Sequence, residues 1–169
     1  MSNQQCLVII KPDGLIKSLT GDIIMALSAT KLKIVGAKIV KTSREHLEKH
    51  YSDLKQKKPH IFEATMDYMS GKYHTDRVLA LVYHGENAIE KIREVCGATN
   101  PEEASPTSIR GRYGRVHSKT GVFENVIHAS DSEQNAEKEI KLWFSPDELV
   151  EIIYPIKEEP VSIKRRFWK

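Results

Sequence analysis

Blocks of apolar residues, spaced sometimes every second position and sometimes every third or fourth, divide the chain into short strands and amphipathic helices. Cys6-Leu7-Val8-Ile9-Ile10 is an unbroken apolar run rich in β-branched residues, the pattern of a central strand buried on both faces. It stops at Lys11-Pro12-Asp13-Gly14, where proline and glycine break the pattern and charge appears at the strand's end. Thr20-Gly21-Asp22 predicts a helix start, with Ile23, Ile24 and Leu27 on its apolar face, and Leu32 to Val40 predicts a second strand. Helical spacing returns over Arg44 to Tyr51 and Ile61 to Met69, with a lysine-rich loop from Lys55 to Lys58 between them. Arg77 to Tyr83 reads as a third strand, and Asn87 to Val95 as a helix with Ile89, Ile92 and Val95 on one side. Asn125-Val126-Ile127-His128 reads as a short last strand, followed by a helix from Ser132 to Phe144 that turns Ala136, Ile140, Trp143 and Phe144 inward.

The order β-α-β followed by a second β-α-β describes a split unit. It predicts an α+β, ferredoxin-like (βαββαβ) antiparallel sheet covered by helices, in one domain over residues 1–150. Cys96 to Glu124 is rich in Gly, Pro, Ser and Thr without sustained periodicity, and a connection of that length is usually functional or disordered. Residues 151–169 form an irregular, charged tail ending in Phe167 and Trp168, expected to pack on a neighbouring subunit or stay loose.

Composition adds constraints. The 169 residues, 40% hydrophobic and 29% charged, suit an ordinary globular domain with a sizeable core. A net charge of +3, with basic residues spread along the chain, fits local handling of anions and gives no ground for specific nucleic-acid binding. Cys6 and Cys96 are too few for a disulfide framework and lack the spacing of a zinc site. The polar stretch Met1 to Gln5 is no signal peptide, and no apolar run is long enough to span a membrane, so a cytoplasmic protein is expected.

His128 is the candidate for chemistry. It closes an apolar strand and precedes Ala129-Ser130-Asp131-Ser132, a cluster of helix-capping residues in which Ser130 and Glu133 have capping-box spacing and Asp131 is an alternative cap. That puts the imidazole near the positive end of a helix, where an anion is favoured. Glu139, seven residues beyond Ser132, falls on the same helix face. A carboxylate there can accept a proton from one ring nitrogen and leave the other as a nucleophile. The local pattern fits a structural histidine equally well. Of the other histidines, His46, His50, His74 and His84 fall in polar surface patterns and His60 and His117 in loops, which predicts solvated side chains. Arg93, Arg110, Arg112 and Arg115 cluster in or before the long connection with Thr99 and Asn100, and Lys11 projects from the first strand's end. Such cations suit either a phosphate chain or a solvated basic loop. There is no Walker loop, dinucleotide fingerprint, protein-kinase motif or hydrolase elbow, so side chains would have to hold any phosphate.

Together these segments resemble the nucleoside diphosphate kinase family. Val8-Ile9-Ile10-Lys11-Pro12-Asp13-Gly14 is similar to its opening signature. Gly97-Ala98-Thr99-Asn100-Pro101 with Ser108-Ile109-Arg110-Gly111 is similar to its nucleotide loop, and Asn125 to Ser132 to its active-site motif. Ala136 to Phe144 is similar to the helix after that motif, so the resemblance runs from about Cys6 to Val150. It implies ping-pong transfer of the γ-phosphate of ATP through a phosphohistidine on His128 to other nucleoside diphosphates. Lys11, Arg93, Arg110 and Thr99 would meet the phosphates, and Asn125 and Lys11 the ribose. Tyr51 would lie beside His128, Ser130 and Glu139 would support the ring, and Asp131 would fix the loop. Mg2+ would be held mainly by the nucleotide, base choice would be loose, and the assembly would be a homo-hexamer or tetramer. The alternative is an inactive nucleotide-binding or regulatory module of the same fold.

Four departures from the family stand out. Ala129 replaces a usual glycine, and Arg112 a usual aspartate. The segment Tyr113 to Glu124 is long enough for a hairpin or flap turning at Thr120-Gly121. Spacing slips around Pro59-His60-Ile61-Phe62, so either Ile61 or Phe62 takes the place of the base-contacting aromatic.

Overall fold

The structure is a computed structural model in which residues 2–164 and 168 are described. Strand β1 (Asn3–Ile10) is followed by α1 (Pro12–Ile16), α2 (Thr20–Ser28), β2 (Lys33–Lys41), α3 (Arg44–His50), α4 (Ser52–Lys57) and α5 (Pro59–Met69). Then come β3 (Arg77–Glu86), α6 (Ala88–Cys96), α7 (Ile109–Tyr113), the hairpin strands β4 (Arg115–Val116) and β5 (Phe123–Glu124), β6 (Ile127–Ala129) and α8 (Glu133–Trp143). The main sheet has the order β2-β3-β1-β6 with antiparallel pairs throughout, which is the ferredoxin-like α+β arrangement.

The unbroken apolar run of β1 follows from its central place. Side chains alternate across a strand. Cys6, Val8 and Ile10 therefore pack with Ile23 and Leu27 of α2 and Ile89 and Ile92 of α6. Leu7 and Ile9 pack on the other face with Leu47 of α3, Met66 of α5 and Ile140 and Trp143 of α8. Two helical layers thus share one strand, and every residue from Cys6 to Ile10 is fully buried.

Local expectations needed correction in several places. Lys11-Pro12-Asp13-Gly14 does not simply end the strand: Pro12 occupies the first turn of α1, where its missing N–H costs nothing. The lysine-rich loop is largely the helix α4, since straight-chain lysine and glutamine are good helix formers. Within the irregular stretch from Cys96 to Glu124 lie α7, capped by Ser108, and the hairpin β4–β5, whose turn places Gly121 at φ +67°. The last strand begins at Ile127 rather than Asn125. The tail begins along the edge strand β2, with Val150 N–H donating to Val35 O at 2.9 Å and Lys33 Nζ 3.1 Å from Glu151. Its later residues are mostly exposed, Trp168 included, and the expectation for Arg165, Arg166 and Phe167 lies outside the described residues. No described helix is long and apolar enough to cross a membrane.

One strained residue ties the two ends of the sheet motif together. Val126, just before β6, has φ +57°, a region a β-branched side chain rarely adopts. Its N–H donates to Asp13 Oδ2 at 3.2 Å, and its carbonyl accepts from Lys11 N–H at 2.9 Å. Asp13 is fully buried and also accepts a short hydrogen bond from the Tyr68 hydroxyl. A Cβ on Gly14 would stand 3.0 Å from Val126 O, tight enough that the turn would have to give by a few tenths of an ångström. Replacing Asp13→Ala strands two buried donors, each costing about 1–3 kcal/mol. The urea midpoint should therefore fall at constant m-value, by the equivalent of about 2–6 kcal/mol. A midpoint unmoved by the substitution would remove Asp13 from this role.

Candidate active site

The register of β1 against β6 creates the site. Ile9 pairs with His128 and Ile10 with Ile127, so Lys11, the next residue along β1, emerges beside the histidine. A cleft of about 300 Å³ opens there, within the usual size for small-molecule sites. Its lining brings Lys11, Tyr51, Arg93, Thr99, Arg110 and Asn125 together around His128, with Glu139 at its margin. Ser130 lies behind, fully buried. All of the site residues expected from the sequence fall in or directly behind one cleft.

Glu139 Oε1 lies 3.1 Å from His128 Nε2, while its Oε2 accepts from the Ser130 hydroxyl at 2.6 Å. Ser130 Oγ in turn accepts from Leu7 N–H at 3.1 Å, which locks the support to the central strand. Nε2 is buried, and its contact with Glu139 is close without being aligned as a hydrogen bond. Nδ1 has no hydrogen-bond partner among the described residues, and the ring as a whole lines the cleft. The cap of α8 proves to be Ser132, which accepts from Asn135 N–H, rather than Ser130 or Asp131. Ser130 is unavailable because it still pairs with β1, its N–H donating to Leu7 O. Asp131 braces the turn by accepting from Asn135 Nδ2 at 2.6 Å.

The cations are held without being neutralised. Lys11 Nζ donates to Asn125 Oδ1 at 2.7 Å, and Asn125 Nδ2 donates to Thr99 O at 2.7 Å. Arg110 spends its donors on carbonyls: Nη1 on Gly97 O at 2.8 Å and Nη2 on Ile127 O at 3.1 Å. Among the described residues none of Lys11, Arg93 and Arg110 lies within 4 Å of a carboxylate oxygen. Lys11 is 8% exposed, and burial, with Arg110 beside it, lowers its pKa to about 8 despite the opposing pull of Asp13. Burial, with Glu139 nearby, raises the Tyr51 phenol, and its hydroxyl is buried without a partner at the cleft. An unpaired buried donor of that kind suits a ligand oxygen.

Contrary to the polar pattern of their segments, His50 and His84 are not solvated. His50 is 9% exposed and His84 7%, and His74 is half-buried, donating to Glu124 at 2.9 Å. The signal for His50 was present in its spacing, since it lies three residues after the core residue Leu47 on the same face of α3. Trp143 Nε1–H donates to His50 Nδ1 at 3.1 Å, and the rings of His50 and His128 meet edge to face at 4.6 Å. His50, His128 and Glu139 each bring a potential metal ligand within 4.8 Å of the others. They do not fit a metal. With Nδ1 accepting from Trp143, the neutral ring carries its proton on Nε2, which is then a donor. Burial, followed by the charges of His128 and Lys11, holds the His50 pKa well below its usual value and keeps it neutral.

At the other end the cleft is apolar. Ile61 lines it, while Phe62 is 3% exposed and packed in the core. Ala129 has no positive φ, so the usual glycine is not required. Arg112 is exposed and sits over the Tyr113 ring at 5.2 Å, clear of the cleft.

A ferredoxin-like sheet that gathers an imidazole, a supporting carboxylate and unneutralised cations at one cleft defines an enzyme of the phosphotransferase class. The family profile described as nucleoside diphosphate kinase matches residues 4–149. The nucleoside diphosphate kinase of Pyrococcus furiosus is 43% identical over 148 residues, covering 88% of this chain and 87% of that protein. Mouse nucleoside diphosphate kinase A is 38% identical over 150 residues, 89% and 91% of the two chains. A transition-state mimic of the Borrelia burgdorferi enzyme, with vanadate and ADP bound, superposes with a TM-score of 0.79 at 32% identity, covering 90% of this chain and 93% of that one. The chain belongs to the nucleoside diphosphate kinase family.

The Lys11 environment generates a pH prediction. A cation favours the phosphate chain, and Lys11 is charged below about 8 and neutral above. Nucleotide KM should therefore rise as pH passes about 8, whereas Lys11→Arg should remove that break because guanidinium keeps its proton. A KM profile flat through this range in the unaltered enzyme would contradict the assignment.

Proposed function

We propose that the protein transfers the γ-phosphoryl group of ATP to nucleoside diphosphates by way of a phosphohistidine on His128. In the first half-reaction the Nδ1 lone pair attacks the γ-phosphorus and the bond to the ADP oxygen breaks. Nε2 keeps its proton, and the Glu139 carboxylate stabilises the positive charge that grows on the ring. In the second half a terminal oxygen of the acceptor diphosphate attacks the same phosphorus and Nδ1 leaves. One cleft serves both halves because donor and acceptor present the same phosphate chain. The single observation that carries this reading is an imidazole with Glu139 3.1 Å from its Nε2, lining a cleft that also gathers unneutralised cations.

Lys11, Arg93 and Arg110 neutralise and orient phosphate oxygens, with the Thr99 hydroxyl beside them. Asn125 and Lys11 reach the ribose, Tyr51 donates from its buried hydroxyl, and Ile61 contacts the base. Mg2+, when bound with the nucleotide, supplies further charge neutralisation of the phosphates. The cleft offers it no carboxylate cage, since Asp131 is engaged by Asn135 and Glu139 by Ser130 and His128, so the phosphates would hold it. The inactive-module alternative is not favoured, because the relatives and structural neighbours are nucleoside diphosphate kinases.

Residues 1–150 form the kinase domain in this reading, and the remainder is a tail that packs on a neighbouring subunit of a homo-hexamer or tetramer. Support comes from the exposed edge strand β2, with Ile34 and Ile39 outward, and from Ile152, Ile153 and Ile156 exposed beyond it. A cytoplasmic setting is supported by two buried, unpaired thiols, Cys6 and Cys96.

Incubation with γ-labelled ATP should place an acid-labile label on the protein that chases onto added nucleoside diphosphate. His128→Ala should lose label and turnover while still binding nucleotide. Glu139→Gln should slow turnover by about 10- to 100-fold with KM little changed, because the carboxylate acts on charge that develops during transfer. Full activity in His128→Ala would end the proposal.

A further inference from the structure

The apolar end of the cleft lacks the aromatic expected of it on α5. Ile61 takes that place, Thr65 lies one turn further along the same helix face, and both line the cleft. Neither offers a π surface. Phe62, the aromatic next to Ile61, is turned into the core under Lys55 and cannot reach a ligand.

An aromatic face is supplied instead from the opposite side of the sequence. Phe123, on β5, lines the same cleft. It is half-buried, and it is absent from both apolar clusters that make up the described core. Its strand neighbour Glu124 is turned the other way, as alternation requires, into a buried anchor. Glu124 accepts from Arg115 Nε at 2.6 Å and from His74 Nε2 at 2.9 Å, and Lys17 lies 3.8 Å away. The hairpin is held a second time where His117 stacks on Tyr73 at 5.9 Å. A two-strand hairpin would be marginal alone; here its ion pairs and stacking fix it to the segment between α5 and β3. The result is a positioned, half-buried phenylalanine that lines the cleft, two residues before the Asn125 that bonds Lys11.

We infer that Phe123 is the base-stacking residue of this enzyme, taking over from the α5 position occupied by Ile61. Resting on the phosphotransfer reading, this adds which side chain grips the base and how. The ligand class is any nucleobase, because every base has a π face and stacking reads no edge. Purines, with the larger face, gain more than pyrimidines. Ile61 and Val122 complete the apolar walls. The base is thus held by the segment that lengthens the chain between Arg110 and Asn125, and hairpin anchoring by Glu124 governs nucleotide affinity from a distance.

The test is a set of substitutions at Phe123, with steady-state kinetics on ADP and CDP as acceptors. Phe123→Ala and Phe123→Leu should raise KM for ADP about tenfold, the scale of losing one base–aromatic stack, with kcat changed far less. The rise for CDP should be smaller. Phe123→Tyr should stay near the parent, and adding Ile61→Phe to Phe123→Ala should recover most of the lost affinity. Phe123→Trp gives an independent signal even if the alanine variant folds poorly: its fluorescence should be quenched by ADP and left unchanged by tripolyphosphate, which has no base. An ADP KM unmoved in Phe123→Leu, or a tryptophan signal equally altered by tripolyphosphate, would overturn the stacking role. In either event acid-labile labelling of the unaltered enzyme would leave the phosphotransfer reading standing, whereas absence of that label would remove the reading underneath.

Discussion

The structure depends on holding two buried cations by hydrogen bonds to neutral oxygens alone. Lys11 is bonded to an amide oxygen, and Arg110 to two main-chain carbonyls. Neither has a carboxylate within ion-pairing distance among the described residues. Pairing each with a carboxylate would relieve the cost of burying charge, but it would cancel the field a phosphate chain needs. Carbonyl and amide dipoles orient the cations and leave their charge unspent. The lowered Lys11 pKa is the visible cost of that choice.

The same logic explains why rigidity is concentrated around Val126. A left-handed β-branched residue costs about 1–3 kcal/mol and persists only where its surroundings over-determine it. Asp13, Tyr68, Gly14 and the Lys11 amide do so here. The turn they fix lies between Asn125, which holds Lys11, and His128. Strain in the backbone therefore sets the spacing between the nucleophile and the cation, a distance no flexible side chain could maintain alone. Ser130 and Glu139 do the equivalent on the far side of the ring, anchoring it to the β1 backbone through Leu7.

Much of this was legible in the sequence. The apolar run of β1 and the alternation of strands and helices led to the sheet, whereas the roles of His128 and Glu139 came from the resemblance, the local pattern alone being neutral between a functional and a structural histidine. Misreadings arose where tertiary contacts decide. His50 looks polar in its own segment, yet Trp143, far away in sequence, covers it and fixes its tautomer. Three adjacent capping residues, Ser130, Asp131 and Ser132, are locally interchangeable, and only pairing with β1 removes Ser130 from the choice. The choice between Ile61 and Phe62 had the same character: neighbours on a helix point about a third of a turn apart, so only the position of the core separates ligand contact from packing.

The hairpin shows how such a family can exchange parts while keeping its chemistry. In the proposed reading, phosphate recognition is bound to β1, β6 and the strained turn, where a shift of an ångström would disturb the attack geometry. Recognition of the base by stacking is tolerant, because a π face can approach from either side and at a range of offsets. An aromatic can therefore move from a helix to a loop without touching the transfer step, provided the loop is as firmly held as the helix was. Glu124 meets that condition. It is 1% exposed, and its carboxylate pairs with Arg115 and His74, which hold it below the usual carboxylate range against the opposing effect of burial. Burying a charge so deeply on a short surface hairpin makes little sense for the hairpin's own stability. It makes sense if the residue beside it must stand still.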